Sequence, residues 1–158
     1  MNALLDHIQS LLPDGQSNEI ILTEVLHVAL AQFQSETGTI HRLDPESQLL
    51  HLVAEIGLPP QLLEVVKTIP VGKGIAGQTV VQKKPVSICN LQTDTSGVAK
   101  PGARQTGVGG ALCVPIRKGE TIVGTLGVGT VRQYEYTPGE TKLLEEIGRL
   151  IGGRFTQR

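Results

Sequence analysis

The stretch IPVGKGIAGQTVVQ, residues 69–82, decides the fold because it joins two halves of the chain that each predict a strand hairpin. It places Gly72, Gly74 and Gly77 in front of a short apolar helix pattern. These glycines match the dinucleotide-binding pattern G-x-G-x-x-G, in which backbone amides at a helix N-terminus bind an anionic ligand. Asp94, about twenty residues after the loop, stands where a ribose-binding acid would.

A dinucleotide-binding fold also needs a buried parallel strand before this loop and a long crossover helix after it. Lys67 and Pro70 interrupt the lead-in, and Pro85 ends the helix pattern early. Residues 111–131 predict an antiparallel hairpin instead of alternating helices and strands. We therefore reject the dinucleotide interpretation of the three glycines.

Length and composition indicate one domain. The 158 residues, 39% hydrophobic and 18% charged, suit a single core. A net charge of -1, with both signs interspersed, argues against nucleic acid as a partner. No apolar run approaches the roughly twenty residues of a membrane span. The start carries Asp6 and His7 instead of a basic, signal-like segment, so we expect a cytoplasmic protein without a membrane partner.

Chemistry-bearing side chains are sparse. Cys89 and Cys113 lack metal-ligand spacing and are too few for a disulfide scaffold, so reduced thiols are expected. There is no Trp, and a pocket for a flat ring usually uses aromatic faces, so no cofactor is predicted.

Two histidines come together in the first hairpin. Strands are predicted over residues 37–43 and 48–55, joined by the turn residues 44–47, and their pairing brings His41 close to His51. No Cys, Asp or Glu stands nearby at ligand spacing. We therefore expect two half-exposed strand histidines and no metal site.

Several segments together resemble the GAF domain, a sensory α/β module. They are PVGKGIAG (70–77), ALCVPI (111–116) and GTLGV (124–128), and the likeness runs from about Asn18 to Phe155. The resemblance implies an α/β (α+β) fold with a central antiparallel sheet of about six strands and helices on both faces. Residues 1–16 are predicted as an N-terminal helix and residues 17–158 as a single GAF domain.

The terminal helices carry more apolar surface than one sheet face needs. In GAF domains such helices commonly form a dimer bundle, so the resemblance implies a homodimer with residues 1–16 as a dimer contact. Its predicted contacts are Leu4, Leu5, Ile8, Leu11, Leu144 and Ile151. Gly148 and Gly152, four apart, are predicted to leave a notch where a second helix packs closely.

The glycine loop is also the predicted binding site. Backbone amides at a helix start, with Lys73 beside them, suit a carboxylate or phosphate. A plain positive-φ turn explains the glycines equally well, and both interpretations stay open here. The resemblance implies that the loop after residue 88 is a lid over the pocket. The predicted ligand contacts are Lys73, Gly74, Ile75, Asn90, Asp94, Arg104, Gln105 and Thr106.

Three functions follow from the resemblance: a small-molecule-binding sensory module, a free methionine-(R)-sulfoxide reductase, and a ligand-free dimerisation scaffold. In the reductase branch cysteines stand where this chain has Val66 and Ala76, and in the lid, which has none after Cys89. The chain is therefore predicted to be a regulatory domain in signal transduction, without catalytic residues and not an enzyme.

The predicted ligand is a small anion or polar metabolite, and occupancy would be passed to a signalling protein. The N-K-x-F-D-E signature of cyclic-nucleotide GAF domains is absent because Leu91 follows Asn90. This absence argues against a cyclic nucleotide as the ligand without excluding it.

Overall fold

One six-stranded antiparallel sheet organises the described part of the chain, which in this computed structural model comprises residues 3–12, 18–88 and 109–155. The helices are α1 (Ala3–Leu11), α2 (Asn18–Phe33), α3 (Pro60–Val66), α4 (Gly74–Gln82) and α5 (Pro138–Ile151), and a 3₁₀ turn, Gly152–Phe155, follows α5. The strands are β1 (Thr37–Asp44), β2 (Leu49–Ile56), β3 (Thr68–Pro70), β4 (Val86–Ile88), β5 (Gly110–Lys118) and β6 (Thr121–Thr130).

The strands stand in the order β3-β2-β1-β6-β5-β4, and every neighbouring pair is antiparallel. Two hairpins, β1-β2 and β5-β6, meet through the central pairing of β1 with β6. The predicted antiparallel α+β fold is confirmed. The antiparallel pairing also excludes the dinucleotide-binding fold, whose strands run parallel.

The main core lies on one face of the sheet, under α1, α2 and α5. Alternate residues of β5 supply Leu112, Val114 and Ile116, because successive strand side chains point to opposite faces. Each fully buried aliphatic side chain of this size contributes roughly 1.5–3 kcal/mol. The other sheet and helix members of this core include Ile40, Leu126, Val128, Leu22, Leu26, Ala29, Phe33 and Ile147.

The start of α5 is fixed by its sequence. Thr137 is the N-cap, its hydroxyl accepts from the Glu140 amide at 3.0 Å, and the Glu140 carboxylate accepts from the Thr137 amide at 2.8 Å. Pro138 occupies the first helical position. This reciprocal capping box, predicted by the T-P-G-E sequence, sets where α5 begins and hence which side it turns to the core.

Gly148 of α5 and Gly152, just after its end, do not leave the predicted notch. A β carbon on Gly148 would lie 3.4 Å from the carbonyl oxygen of Pro115, and one on Gly152 would overlap the carbonyl oxygen of Arg117. Strand β5 of the same chain therefore occupies the space that was predicted for a second helix. The small residues seat α5 closely on its own sheet.

Half of the predicted dimer contacts are used inside the monomer. Ile8, Leu144 and Ile151 are completely buried in the main core, and the remaining leucines pack against it partly buried. Those three side chains therefore cannot form an intermolecular surface, and a homodimer, which stays a prediction, would use other residues. Within the described ranges, no helix is both long and apolar enough to span a membrane.

Candidate functional site

The second face of the sheet carries a much smaller apolar cluster than the first. Helix α4 lies over β5 and β6 there, and Leu50, Ala76 and Cys113 form its buried centre. Leu43, Ile69, Ile75 and Val80 pack around them, partly buried. Helices thus cover both faces, as predicted, but this face has polar groups among its buried residues.

The glycine loop that leads into α4 is explained by backbone geometry. Gly72 and Gly74 have φ of 95° and 65°, a region that glycine adopts without steric cost. A β carbon on Gly77 would lie 2.7 Å from the carbonyl oxygen of Pro70 and 2.8 Å from the Gly72 amide nitrogen. The turn alone therefore accounts for all three glycines of the pattern.

The N-terminus of α4 is still able to bind an anion. Lys73 is the N-cap residue, and its own side chain makes no capping hydrogen bond. The first amides of a helix lack intrahelical partners and carry partial positive charge. The side chain of Lys73 is exposed, and Gly74 and Ile75 are half-buried beside it.

Three of the eight predicted ligand contacts thus meet at one helix start. The other five, Asn90, Asp94, Arg104, Gln105 and Thr106, lie outside the described residues and stay predictions. The predicted lid lies there as well.

His41 is not the half-exposed histidine that the sequence indicates; only 2% of it is exposed. Regular pairing from the turn places His41 opposite Leu52 and His51 opposite Arg42, and the register shift in this ladder leaves Val53 of β2 unpaired. Because Ile40 faces the main core, the alternation of β1 turns the His41 side chain to the second face of the sheet. Among the described residues, no three His, Cys, Asp or Glu side chains form a metal-binding group.

One hydrogen bond sets the protonation of His41. Its Nε2 lies 2.8 Å from the carbonyl oxygen of Val66, at the end of α3. A carbonyl only accepts, so Nε2 carries the proton and donates it. Burial lowers the pKa of His41, which keeps the ring neutral at physiological pH. Nδ1 is then a bare acceptor, and it is buried without a hydrogen-bond partner in the described part of the chain.

Thr125 stands directly opposite His41 in the pairing of β1 with β6, so the two side chains share a face. It is 1% exposed, and its hydroxyl oxygen likewise has no partner of acceptable geometry among the described residues. Buried polar atoms are rarely left unpaired in native proteins. We call His41, Thr79, Cys113 and Thr125 the floor cluster.

Cys113 is the thiol of the floor cluster. Burial raises its pKa to about 11, although hydrogen bonding to the hydroxyls of Thr79 and Thr125 acts in the opposite direction. Sulfur is a weak hydrogen-bonding group, and the geometry of this contact does not satisfy the Thr125 hydroxyl oxygen. Thr79 donates its own proton to the carbonyl oxygen of Ile75 at 2.7 Å. Cys113 is therefore a protonated, inert thiol at neutral pH.

Sequence reasoning missed the floor cluster as a site. The signal that was available is the alternation of β6, in which Leu126 and Val128 face the main core and Thr125 and Gly127 face the other way. The same alternation in β1 turns His41 to that face, but its contact with Val66, which is 25 residues away in the chain, has no comparable signature in the sequence.

An antiparallel six-stranded sheet, helices on both faces and a glycine turn leading into a short helix together define a GAF-type α+β module. The family model described as GAF domain matches residues 15–153, and the chain belongs to that family. The comparison with curated proteins finds no match.

Solved structures with this fold include the GAF domain of a larger protein and reductases. The GAF domain of an Acinetobacter phosphoenolpyruvate-protein phosphotransferase is 19% identical, with a TM-score of 0.80 over 97% of this chain and 93% of that one. The free methionine-R-sulfoxide reductase of Neisseria meningitidis, in complex with its substrate, is 18% identical, with a TM-score of 0.79 over 96% and 86%. The free methionine-R-sulfoxide reductase (fRMsr) of Staphylococcus aureus, also in complex with substrate, is 21% identical, with a TM-score of 0.76 over 97% of this chain and 94% of that one.

The prediction that the chain is not an enzyme is wrong, because structures that share its fold over nearly their whole length are reductases. That prediction relied on where cysteines stand in the sequence. At such low identity a common backbone does not require reactive groups to keep their positions. Cys89, moreover, lies outside the described residues.

Proposed function

We propose that this GAF domain binds a small polar molecule on the second face of its sheet and passes its occupancy to a signalling partner. The observation that carries the proposal is a pair of buried polar atoms, His41 Nδ1 and Thr125 Oγ1, that have no hydrogen-bond partner among the residues the structure describes. Leaving such a group without a partner costs about 1–3 kcal/mol. A bound molecule that supplies the missing hydrogen bonds removes this cost.

The start of α4 extends the proposed site. An anionic end of the ligand would accept from the first amides of the helix and lie near the ammonium group of Lys73. The five predicted contacts between residues 90 and 106 would close over it. The ligand would thus be held between the sheet floor and the segment that follows β4.

A thermal-shift panel of small anions, cyclic nucleotides, amino acids and polar metabolites tests the proposal. A ligand present at 100 times its Kd stabilises the folded chain by about 2.7 kcal/mol. For a domain of this size the expected rise in Tm is about 5–10 °C. For an anionic hit, K73Q is expected to reduce the shift, whereas K84Q, which removes another exposed lysine, leaves it unchanged. A panel without any stabilising compound contradicts the proposal and favours the ligand-free scaffold.

A second candidate is reduction of free methionine sulfoxide, favoured by the superposition of substrate-bound reductases on 96–97% of the chain. The sulfoxide would be reduced to methionine and water as two thiols are oxidised to a disulfide. Since Cys113 is protonated and buried, Cys89 would be the attacking thiol, with dithiothreitol as the external reductant. Consumption of the sulfoxide by wild type and C113S but not by C89S would establish this activity.

A further inference from the structure

The floor cluster has a defined pattern of unused hydrogen-bonding capacity. Nε2 of His41 is committed to Val66, so Nδ1 offers one lone pair and no proton. The hydroxyl of Thr125 offers one proton and lone pairs. Directly opposite residues of antiparallel strands have their Cβ atoms about 4.5–5.5 Å apart, so one small group can reach both.

The buried side chains that the structure describes around this pair are uncharged. The buried polar side chains of the described residues are His41, Thr79, Thr125 and Thr130. His41 is neutral and the others are hydroxyls, so none of these described buried side chains carries a charge that could pair with an ion. Burying an unpaired carboxylate or ammonium group costs far more than burying a neutral one. A carboxylate would also direct its lone pairs at the lone pair of Nδ1.

We propose that the end of the ligand that reaches the floor cluster is uncharged and both donates and accepts, as a hydroxyl or a primary amide does. It donates to Nδ1 of His41 and accepts from the hydroxyl of Thr125. This rests on the proposed binding function and specifies the chemistry of that site. Any anionic group of the same ligand lies away from the floor.

Isosteric amide and carboxylate pairs test this assignment. The probes are propanamide and propanoate, L-asparagine and L-aspartate, and L-glutamine and L-glutamate, titrated into the full chain labelled with ¹⁵N-histidine. In at least one pair the amide is expected to bind ten or more times more tightly and to move the ¹⁵N resonance of His41 Nδ1. T125V, which keeps the volume and removes the hydroxyl, is expected to reduce the preference below threefold, and T125S to retain it.

The assignment is overturned if the carboxylates bind as well as the amides, if binding leaves the Nδ1 resonance in place, or if no pair binds at millimolar concentration. Its failure is distinguishable from that of the binding function. If the assignment fails while compounds of the thermal-shift panel still stabilise the chain, the binding function stands. If no compound of the panel stabilises the chain either, both the assignment and the binding function fail.

Discussion

Replacing Gly124 with alanine is expected to lower the free energy of unfolding by about 3 kcal/mol. A β carbon at this position would overlap the carbonyl oxygen of His41 and lie 3.5 Å from Cα of Arg42. Both are backbone atoms of the central β1-β6 pairing, so no side-chain rotation relieves the overlap. Urea unfolding followed by circular dichroism measures the loss.

Gly127, three residues further along β6, provides the matched control. A β carbon there would meet the side-chain oxygen of Thr39 at 3.1 Å, and its nearest backbone atom, the carbonyl oxygen of Leu112, at 3.7 Å. Thr39 can rotate away, and alanine reduces the entropy of the unfolded chain. G127A is therefore expected to cost less than about 1 kcal/mol. Equal losses in the two variants would contradict the close approach of β6 to the backbone at His41.

The second large effect concerns two buried threonines of β6, at which valine substitutions are expected to change the folding stability in opposite directions. T125V is expected to raise the stability of the ligand-free protein by about 1 kcal/mol, because it removes a buried hydroxyl oxygen that no described residue satisfies. T130V is expected to lower it by about 1–2 kcal/mol. The Thr130 hydroxyl accepts from the Gly110 amide at 3.1 Å and donates to the carbonyl oxygen of Arg132 at 2.7 Å.

Urea unfolding of the two variants checks this prediction, since valine and threonine are close in volume and the substitutions leave no cavity. A loss of stability in T125V as large as that in T130V would show that the Thr125 hydroxyl is satisfied in the free protein. A gain in stability on removing a polar group is expected at a binding site. The unsatisfied group there destabilises the ligand-free protein, and the ligand offsets that cost when it binds.

Much of the fold follows from local sequence rules. The turn residues between β1 and β2, the T-P-G-E start of α5 and the alternation in β5 each depend on neighbours in the chain. The positive φ values of Gly72 and Gly74 also follow from the loop that contains them. For this reason the hairpins, the capping box and the central glycine turn were predictable.

The floor cluster was not predictable in the same way. Alternation in β1 gives the face of His41, but the groups that meet it there, Thr125 of β6 and Val66 at the end of α3, come from distant parts of the chain. Likewise, the tight seat of α5 on β5 depends on the distance between Gly152 and Arg117, which are far apart in the chain. Such distant contacts carry no local signature.

The fold does not decide between a sensor and an enzyme, so the decision depends on the chemistry of the site. Solved structures of the same architecture include a phosphotransferase GAF domain and reductases with bound substrate. Among the described residues, the floor cluster offers a neutral imidazole, hydroxyls and a protonated thiol, which suit hydrogen bonding to a ligand. Any thiol chemistry would depend on Cys89.

The most direct measurement of the central claim is the Kd of a stabilising compound for wild type, T125V and T130V by isothermal titration calorimetry. Binding on the second face predicts a Kd at least tenfold higher for T125V and within twofold of wild type for T130V. An unchanged Kd for T125V would show that the compound binds elsewhere and would contradict the account.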